Sequence, residues 1–494
     1  MASGHDLKLV LQSETPIVVI ETLDEPQLLH LLVNETIATG ASAYQPLFRW
    51  SITDGLQRLD IDLEVPADAA EPESVLRHIR KSRQPGVYVL LDFHPYLREP
   101  VNVRLLKDIA IDTDRGRRSV VLLSHKIDIP PELEHLCLSF DMTLPDAHER
   151  RRIVEDVARE WVSENPGSSV QADQRAFDLL ISNLAGLTHS DTRRLARNAI
   201  FQDGAITRSD LAPVMEAKYR LLNRDGILSY EYDTAQFAQV GGQGRLRTWL
   251  SRRRSAFRDS DSRLDPPRGM LLLGVQGCGK SLAAKAVAGV FDVPLLKLDF
   301  GRVYNKYHGE SERNLRTALA TADVMSPCVL WVDEIEKSIA SGQEDSGTSN
   351  RILGTFLTWM AERKNQVFVV ATANDVSAMP PELMRKGRFD ETFFVDLPGQ
   401  ATREELFRVH FERRDVDVAP FNVEQLAHMT DGFSGAEIEQ AIVSAMYTAH
   451  AQDVPLDGGH VINEIRGTYP LSVTMREKIS QLRHWAADRA VAVE

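Results

Sequence analysis

The sequence predicts an α/β protein built as two consecutive units, each a parallel sheet sandwiched between helices and followed by a small helical region. Three observations carry this reading. Short apolar runs that read as strands buried on both faces come in two sets. The first is "PIVVIET" at 16–22, "GVYVLLD" at 86–92 and "RSVVLLS" at 118–124; the second is "GMLLLG" at 269–274, "PCVLWVD" at 327–333 and "QVFVVAT" at 366–372. Helical stretches separate the runs, as crossovers between parallel strands require. Finally, "PPELEHLCLSFDMTLP" at 130–145 returns as "PPELMRKGRFDETFFVDLP" at 380–398, with a glycine-arginine insert that the first phrase lacks.

A chain of 494 residues is too long for one core. Each strand set is followed by a helical region, roughly 146–222 and 401–450. "LAGLTHSDTRRLARNAI" at 184–200 can be laid over "MTDGFSGAEIEQAIVSAM" at 429–446, each with a glycine and a Ser/Thr cap before a helix. Matching order and matching phrases point to an internal duplication. The expected layout is an α/β core at 1–145, a helical lid-like region and linker at 146–230, a second core at 231–412, and a helical lid with a helical tail at 413–494.

Composition narrows the classes. Hydrophobic residues make up 43% and charged residues 26%, ordinary for globular protein. The net charge of −14 opposes binding to nucleic acid or anionic membrane as a whole. The arginines at 245, 247, 252, 253, 254, 258, 263 and 268 fit a phosphate-binding patch or a solvated helix face, and the acidic whole favours the second. Three cysteines form no disulfide framework and fit a reducing compartment. The beginning of the sequence lacks the order of a signal peptide, and no apolar run approaches the roughly 20 residues that span a bilayer. A cytoplasmic protein is expected, or a stromal one if the gene lies in a plastid.

"GVQGCGKS" at 274–281 carries the chemistry. It follows a strand, precedes a helix and fits the phosphate-loop pattern G-x-x-x-x-G-K-[ST]. Gly274, Gly277 and Gly279 let the backbone turn tightly around phosphates, and the helix N-terminus offers amides and a positive dipole end. Lys280 is expected on the β- and γ-phosphates and Ser281 on Mg2+. Asp333 and Glu334 end the strand "CVLWVD", so Asp333 is expected on the metal and Glu334 on the attacking water. Asn374 ends the next strand and is placed to orient that water.

With these motifs assembled, residues 237–450 resemble an AAA+ ATPase of the branch that contains hexameric protein-unfolding motors. "QVGGQGRL" resembles the segment lining the adenine pocket, "MRKGRFD" the second region of homology, and "GFSGAEIE" at 432–439 the start of the lid helix. Across nearly the whole length the chain resembles a poorly characterised family of AAA proteins from plastid and cyanobacterial genomes. The resemblance implies tandem AAA units, the first degenerate, with ATP and Mg2+ as cofactors. It implies nucleotide contacts from Val240, Gly241, Gly274, Gly277, Cys278, Gly279, Lys280, Ser281, Leu282, Asp333, Gly435 and Ala436. Arg388 is implied to reach a neighbouring subunit's ATP, hence a homo-oligomeric ring, a hexamer by the pattern of that branch. Glu391 stands where related motors often place a second arginine.

The first repeat lacks this equipment. After "PIVVIET" it reads "LDEPQLLHLL", placing Asp24 and Glu25 at a helix N-terminus where they repel phosphate. Asp92 occupies the metal-acid position with Phe93 beside it, and Ser124 falls near the sensor position. No nucleotide is expected there.

"NKYHGESERNLR" at 305–316 resembles a pore loop, with Tyr307 as the residue that grips polypeptide, His308 beside it and Gly309 as a flexible point. Cys278 at a helix N-terminus is expected to have a lowered thiol pKa, either as a redox brake or as a merely tolerated small residue. No H-E-x-x-H signature occurs, and no metal site beyond Ser281 and Asp333 is expected. The expected function is an ATP-hydrolysing ring that remodels a protein partner, with nucleic acid not expected as a partner. The rival is a nucleotide-gated switch whose assembly is the output.

Overall fold

The computed structural model describes all residues except 1–6, 8, 12–14, 39–45, 60–69, 83–84, 113–117, 224–225, 232–240, 259–263, 304–309, 341–345, 378 and 386. The chain forms two compact units, Met1–Asp210 and Leu211–Glu494.

The first unit contains β1 (Ile17–Glu21), β2 (Leu47–Ser51), β3 (Gly55–Arg58), β4 (Gly86–Leu91), β5 (Arg118–Ser124) and β6 (Cys137–Phe140). They lie in the order β3-β2-β4-β5-β1-β6, parallel except for the β2–β3 hairpin. β1 is a β-branched run buried on both faces, as a central parallel strand requires. Ile17 and Val19 join one apolar cluster with Trp50 and Leu90, while Val18 and Ile20 join another with Leu28 and Val89. Alternation along the strand thus feeds both layers of the sandwich. Helices Ala147–Glu164, Gln174–Asn183 and His189–Phe201 follow, with the short strands β7 (Gln171–Ala172) and β8 (Ala205–Ile206). Asp146 and Glu149 close a capping box on the first of these helices, and Thr188 caps the last through the Asp191 amide.

The second unit contains β9 (Leu228–Glu231), β10 (Gly269–Gly274), β11 (Leu295–Leu298), β12 (Cys328–Val332), β13 (Val367–Ala373), β14 (Glu391–Val395) and β15 (Val491–Ala492). Their order is β15-β14-β10-β13-β12-β11-β9. From β14 to β11 this repeats β6-β1-β5-β4-β2 of the first unit strand for strand. Each series ends on an antiparallel neighbour, β9 or β3. The shared order is the structural counterpart of the repeated phrases. Leu271, Leu273 and Leu330 pack on one face of this sheet, and Met270, Leu272 and Trp331 on the other.

Two expected boundaries shift. Residues 211–230 belong with the second unit: Met215 joins the cluster of Leu271 and Leu330, buried Lys218 donates from Nζ to the Val324 carbonyl at 2.7 Å, and β9 pairs with β11. The tail after 475 is not wholly helical and joins the core. Helix Arg476–Ala486 sends Leu482 and Ala486 into the core, and Arg483 Nε meets Asp396 Oδ2 at 2.8 Å. β15 then adds to the sheet beside β14, with Val493 buried against the opposite layer.

Among the described residues no helix is long and apolar enough to cross a membrane. Helix Gly244–Arg258 buries Leu246, Leu250 and Phe257 and exposes Arg245, Arg247, Arg252 and Arg254. That spacing is a core-facing stripe with a solvated opposite face. Arg253 stacks its guanidinium 3.7 Å from the Trp249 ring.

Candidate functional site

The loop after β10 is shaped by two glycines. A Cβ on Gly274 would stand 2.0 Å from the Val395 carbonyl oxygen, so only glycine fits. Gly277 turns with φ 76°, and a Cβ there would meet Ser434 Oγ and Ala436 Cβ at 3.1 Å. Helix Lys280–Phe291 starts immediately after this loop, with its first amides facing it. Lys280 is buried, and its ammonium donates to the Gly274 carbonyl at 2.9 Å and the Val275 carbonyl at 2.7 Å. Burial lowers its pKa to about 8.

The ends of β12 and β13 face this loop with a connected set of polar side chains. Thr372 Oγ1 donates to Asp333 Oδ1 at 2.6 Å, and the Glu334 amide donates to Thr372 Oγ1 at 3.0 Å. Asn374 Nδ2 donates to Glu334 Oε1 at 3.0 Å. The Asn374 amide in turn donates to buried Glu336 at 2.9 Å, which fixes the end of β13. Glu334 adopts φ 47°, a left-handed conformation uncommon for a residue with a side chain. Lys297 Nζ lies 3.4 Å from Asp333 Oδ2 and 4.4 Å from the Trp331 ring centre.

The lid closes the other side. Ser434 and Glu437 form a capping box on helix Gly435–Ala451, and the Ala436 amide donates to the Gly277 carbonyl at 3.0 Å. Between core and lid lies a cavity of about 600 Å³, within the range of small-molecule sites. Gly241, Gly277, Cys278, Gly279, Lys280, Ser281, Leu282, Asp333, Glu334, Asn374, Gly435 and Ala436 all line it. Gly274 does not line it and acts by shaping the strand end. Val240, Tyr307, His308 and Gly309 lie outside the described residues.

Arg388 is absent from the cavity wall. Its guanidinium donates to the Glu382 carbonyl, and its loop is tied to the start of β10. Asp390 Oδ2 accepts from the Arg268 and Gly269 amides at 2.7 and 3.0 Å, and Arg268 donates to the Gly387 carbonyl. The phosphate loop leaves the other end of that six-residue strand. Strand rise puts the two ends about 17 Å apart, so Arg388 lies far from the phosphate loop of the same chain.

Sequence reasoning missed several wall residues: Gln243, Thr372, Asp396, His410, Glu439 and Glu494. Gln243 Oε1 and His410 Nδ1 are buried without a hydrogen-bond partner among the described residues. Burial pushes the His410 imidazole below its usual range. Glu494 accepts from Thr402 Oγ1 at 2.9 Å, so the tail edges the site. No local motif marks these residues, since each arrives by tertiary packing.

Two expectations are corrected. The Cys278 thiol is not lowered: packed against the apolar cluster of Ala283 and Val287, it is pushed up to about 12. Burial thus overrides the helix dipole, and the premise of a redox brake fails. Ser124 does not match the sensor residue. β4 and β5 pair Leu91 with Leu123 as β12 and β13 pair Val332 with Ala371, so Ser124 corresponds to Thr372.

In the first unit only Thr22, Leu23 and Asp24 separate β1 from helix Glu25–Ala38, where residues 275–279 stand in the second. Glu25 thus opens the helix at the place of Lys280. The connection is too short to wrap phosphate, and its charge is reversed.

Comparisons with known proteins agree with this geometry. The model for the ATPase family associated with various cellular activities (AAA) matches residues 270–397, and that for the AAA+ lid domain matches 420–458. Models for the N-terminal and second domains of SpoVK-like AAA ATPases match 3–142 and 148–225. An uncharacterized AAA domain-containing protein, ycf46, from Pyropia yezoensis is 32% identical over 491 residues, covering 98% of this chain and 97% of the relative. The protein of that name from Guillardia theta is 33% identical over 494 residues, covering 99% and 95%. The proteasome-activating nucleotidase of Aeropyrum pernix is 37% identical over 194 residues, covering 38% of this chain and 47% of the relative.

Proposed function

The chain belongs to the AAA ATPase family, alongside the ycf46 proteins, and on that footing we propose a magnesium-dependent ATPase that forms a ring and remodels a protein partner. The observation that carries the reading is the Asp333–Thr372–Glu334–Asn374 network facing the phosphate loop in one cavity. The cavity fits a nucleotide: Gln243 Oε1 and His410 Nδ1 lack hydrogen-bond partners among the described residues at its wall, and Lys280 offers an ammonium to phosphate.

Ser281 and Asp333 are the residues to hold Mg2+, which when bound neutralises charge on the phosphates. Glu334 is the base for the attacking water, and Asn374 holds its carboxylate through Oε1. Thr372 keeps Asp333 and the Glu334 backbone in fixed register.

Arg388, about one strand length from its own loop, is assigned to a neighbour's γ-phosphate, which makes a closed ring the functional state, a hexamer by family pattern. Protein remodelling draws support from relatives whose names include a proteasome-activating nucleotidase. Tyr307, with His308 and Gly309, is assigned to gripping polypeptide. We place the protein in the cytoplasm, or in the stroma where the gene is plastid-borne.

The test pairs two variants. Glu334→Gln should bind ATP, stop turnover and retain protein partners from a lysate in an ATP-dependent manner. Tyr307→Ala should keep basal turnover and lose stimulation by those partners. Unchanged stimulation in Tyr307→Ala would contradict threading.

A further inference from the structure

The ends of β4 and β5 in the first unit gather three side chains that nucleotide chemistry does not use. Asp92 follows β4 in a left-handed conformation, φ 49°. His94 opens the short helix His94–Arg98, and His125 follows β5. One ligand atom from each, a carboxylate oxygen and two imidazole nitrogens, lies within 4.8 Å of the others. The two rings meet edge to face, 5.0 Å between centres.

Buried Ser124 stands among them. Its hydroxyl donates to Asp92 Oδ1 at 2.8 Å and lies 2.8 Å from His94 Nδ1 and 3.3 Å from His125 Nδ1. One hydroxyl therefore holds the carboxylate and both rings together, as outer-sphere partners do around metals. The Glu25 carboxylate is near enough to feel the Asp92 charge, and Arg49 is near enough to Glu25 to oppose it.

The position has a counterpart. Asp92 and Ser124 correspond to Asp333 and Thr372, and in both units the hydroxyl donates to the acid, at 2.8 and 2.6 Å. Beside the acid, however, the second unit has Glu334 and the first has buried Phe93 with His94 and His125 close by. Oxygen ligands suit Mg2+, whereas a carboxylate with two imidazoles suits Zn2+ and its neighbours in the first transition row.

We infer that Asp92, His94 and His125 form a transition-metal site in the first unit, with Zn2+ the ion that the ligand set fits. It contradicts the expectation of no metal site beyond Ser281 and Asp333. Tetrahedral zinc with two imidazoles sets its ligand atoms about 3.4 Å apart. Closing from separations of up to 4.8 Å needs up to about 1.4 Å of side-chain movement, which exposed Asp92 and His125 accommodate. Three protein ligands leave a fourth position open to water or to a partner's side chain.

The test uses the full chain without a histidine tag, without nucleotide and in excess Mg2+. After dialysis against zinc, elemental analysis should find one Zn2+ per chain, and cobalt in its place should give the visible absorption of a four-coordinate ion. His125→Gln, at an exposed position where folding is not at stake, should weaken zinc binding by about tenfold or more, and His94→Ala/His125→Ala should abolish the cobalt spectrum. Asp333→Asn should leave zinc binding unchanged. Parental zinc affinity in both histidine variants, loss of zinc in Asp333→Asn, or no retained zinc at all would overturn the site.

Discussion

The carboxylate of Asp24 accepts two hydrogen bonds from Ser190, from the backbone amide at 2.9 Å and from the hydroxyl at 2.5 Å. Asp24 lies just before helix Glu25–Ala38 of the first core, and Ser190 lies in the first turn of a lid helix capped by Thr188. In the second unit the corresponding lid residue is Ala436, whose amide meets the phosphate loop at Gly277. The first unit thus fastens its lid with a carboxylate of its own at the place where the second unit has a phosphate loop.

Removing that carboxylate should loosen the lid without touching the ATPase site. Hydrogen bonds to a charged group contribute about 1.5–3 kcal/mol. In Asp24→Ala, amides of helix His189–Phe201 should exchange faster by hydrogen-exchange mass spectrometry, while those of helix Gly435–Ala451 stay as before. Protection of helix His189–Phe201 equal to that of the wild type would show that Asp24 contributes nothing.

Lys280 gives nucleotide binding a pH signature. Burial holds its pKa at about 8 against an ordinary 10.5, and triphosphate beside it favours the charged form. Binding above about pH 8 therefore takes up a proton, and affinity there should fall with rising pH by up to about tenfold per unit. Calorimetry in buffers of different ionisation enthalpy measures the uptake directly. Lys280→Ala should remove both the uptake and the single nucleotide bound per chain.

Much of this was legible in the sequence, and the failures have physical causes. The strand pattern, the phosphate loop and Asp333, Glu334 and Asn374 are local signals, fixed by burial period and by backbone needs at glycine. Thr372 was passed over because a threonine inside a strand looks like any other; only the β12–β13 register sets its hydroxyl on Asp333. The Asp92–His94–His125 group is likewise split between two strand ends that meet through β4–β5 pairing. The tail read as helical because β15 is only two residues long, and its pairing depends on an edge presented by β14. Cys278 was misread because its helix position was visible and its apolar packing was not.

Glu334 should prove catalytic rather than binding. Glu334→Gln should lower turnover by about 10²–10⁴-fold, the usual weight of a general base, with nucleotide affinity kept. Single-turnover hydrolysis and equilibrium binding separate the two effects.

Cys278 should be inert to oxidants, because a thiol pushed up to about 12 offers little thiolate at neutral pH. Peroxide treatment should leave turnover unchanged in the wild type and in Cys278→Ser alike. Inactivation of the wild type alone would contradict this.

Steady-state ATP hydrolysis per subunit, followed as protein concentration rises, tests the central claim that each active site is completed by a neighbour. Turnover per subunit should climb to a plateau and fall by about 10³–10⁵-fold in Arg388→Ala, the weight of an arginine supplied in trans. Concentration-independent turnover with an active Arg388→Ala protein would contradict shared sites, and negligible turnover at every concentration despite ATP binding would mark a nucleotide-gated switch instead.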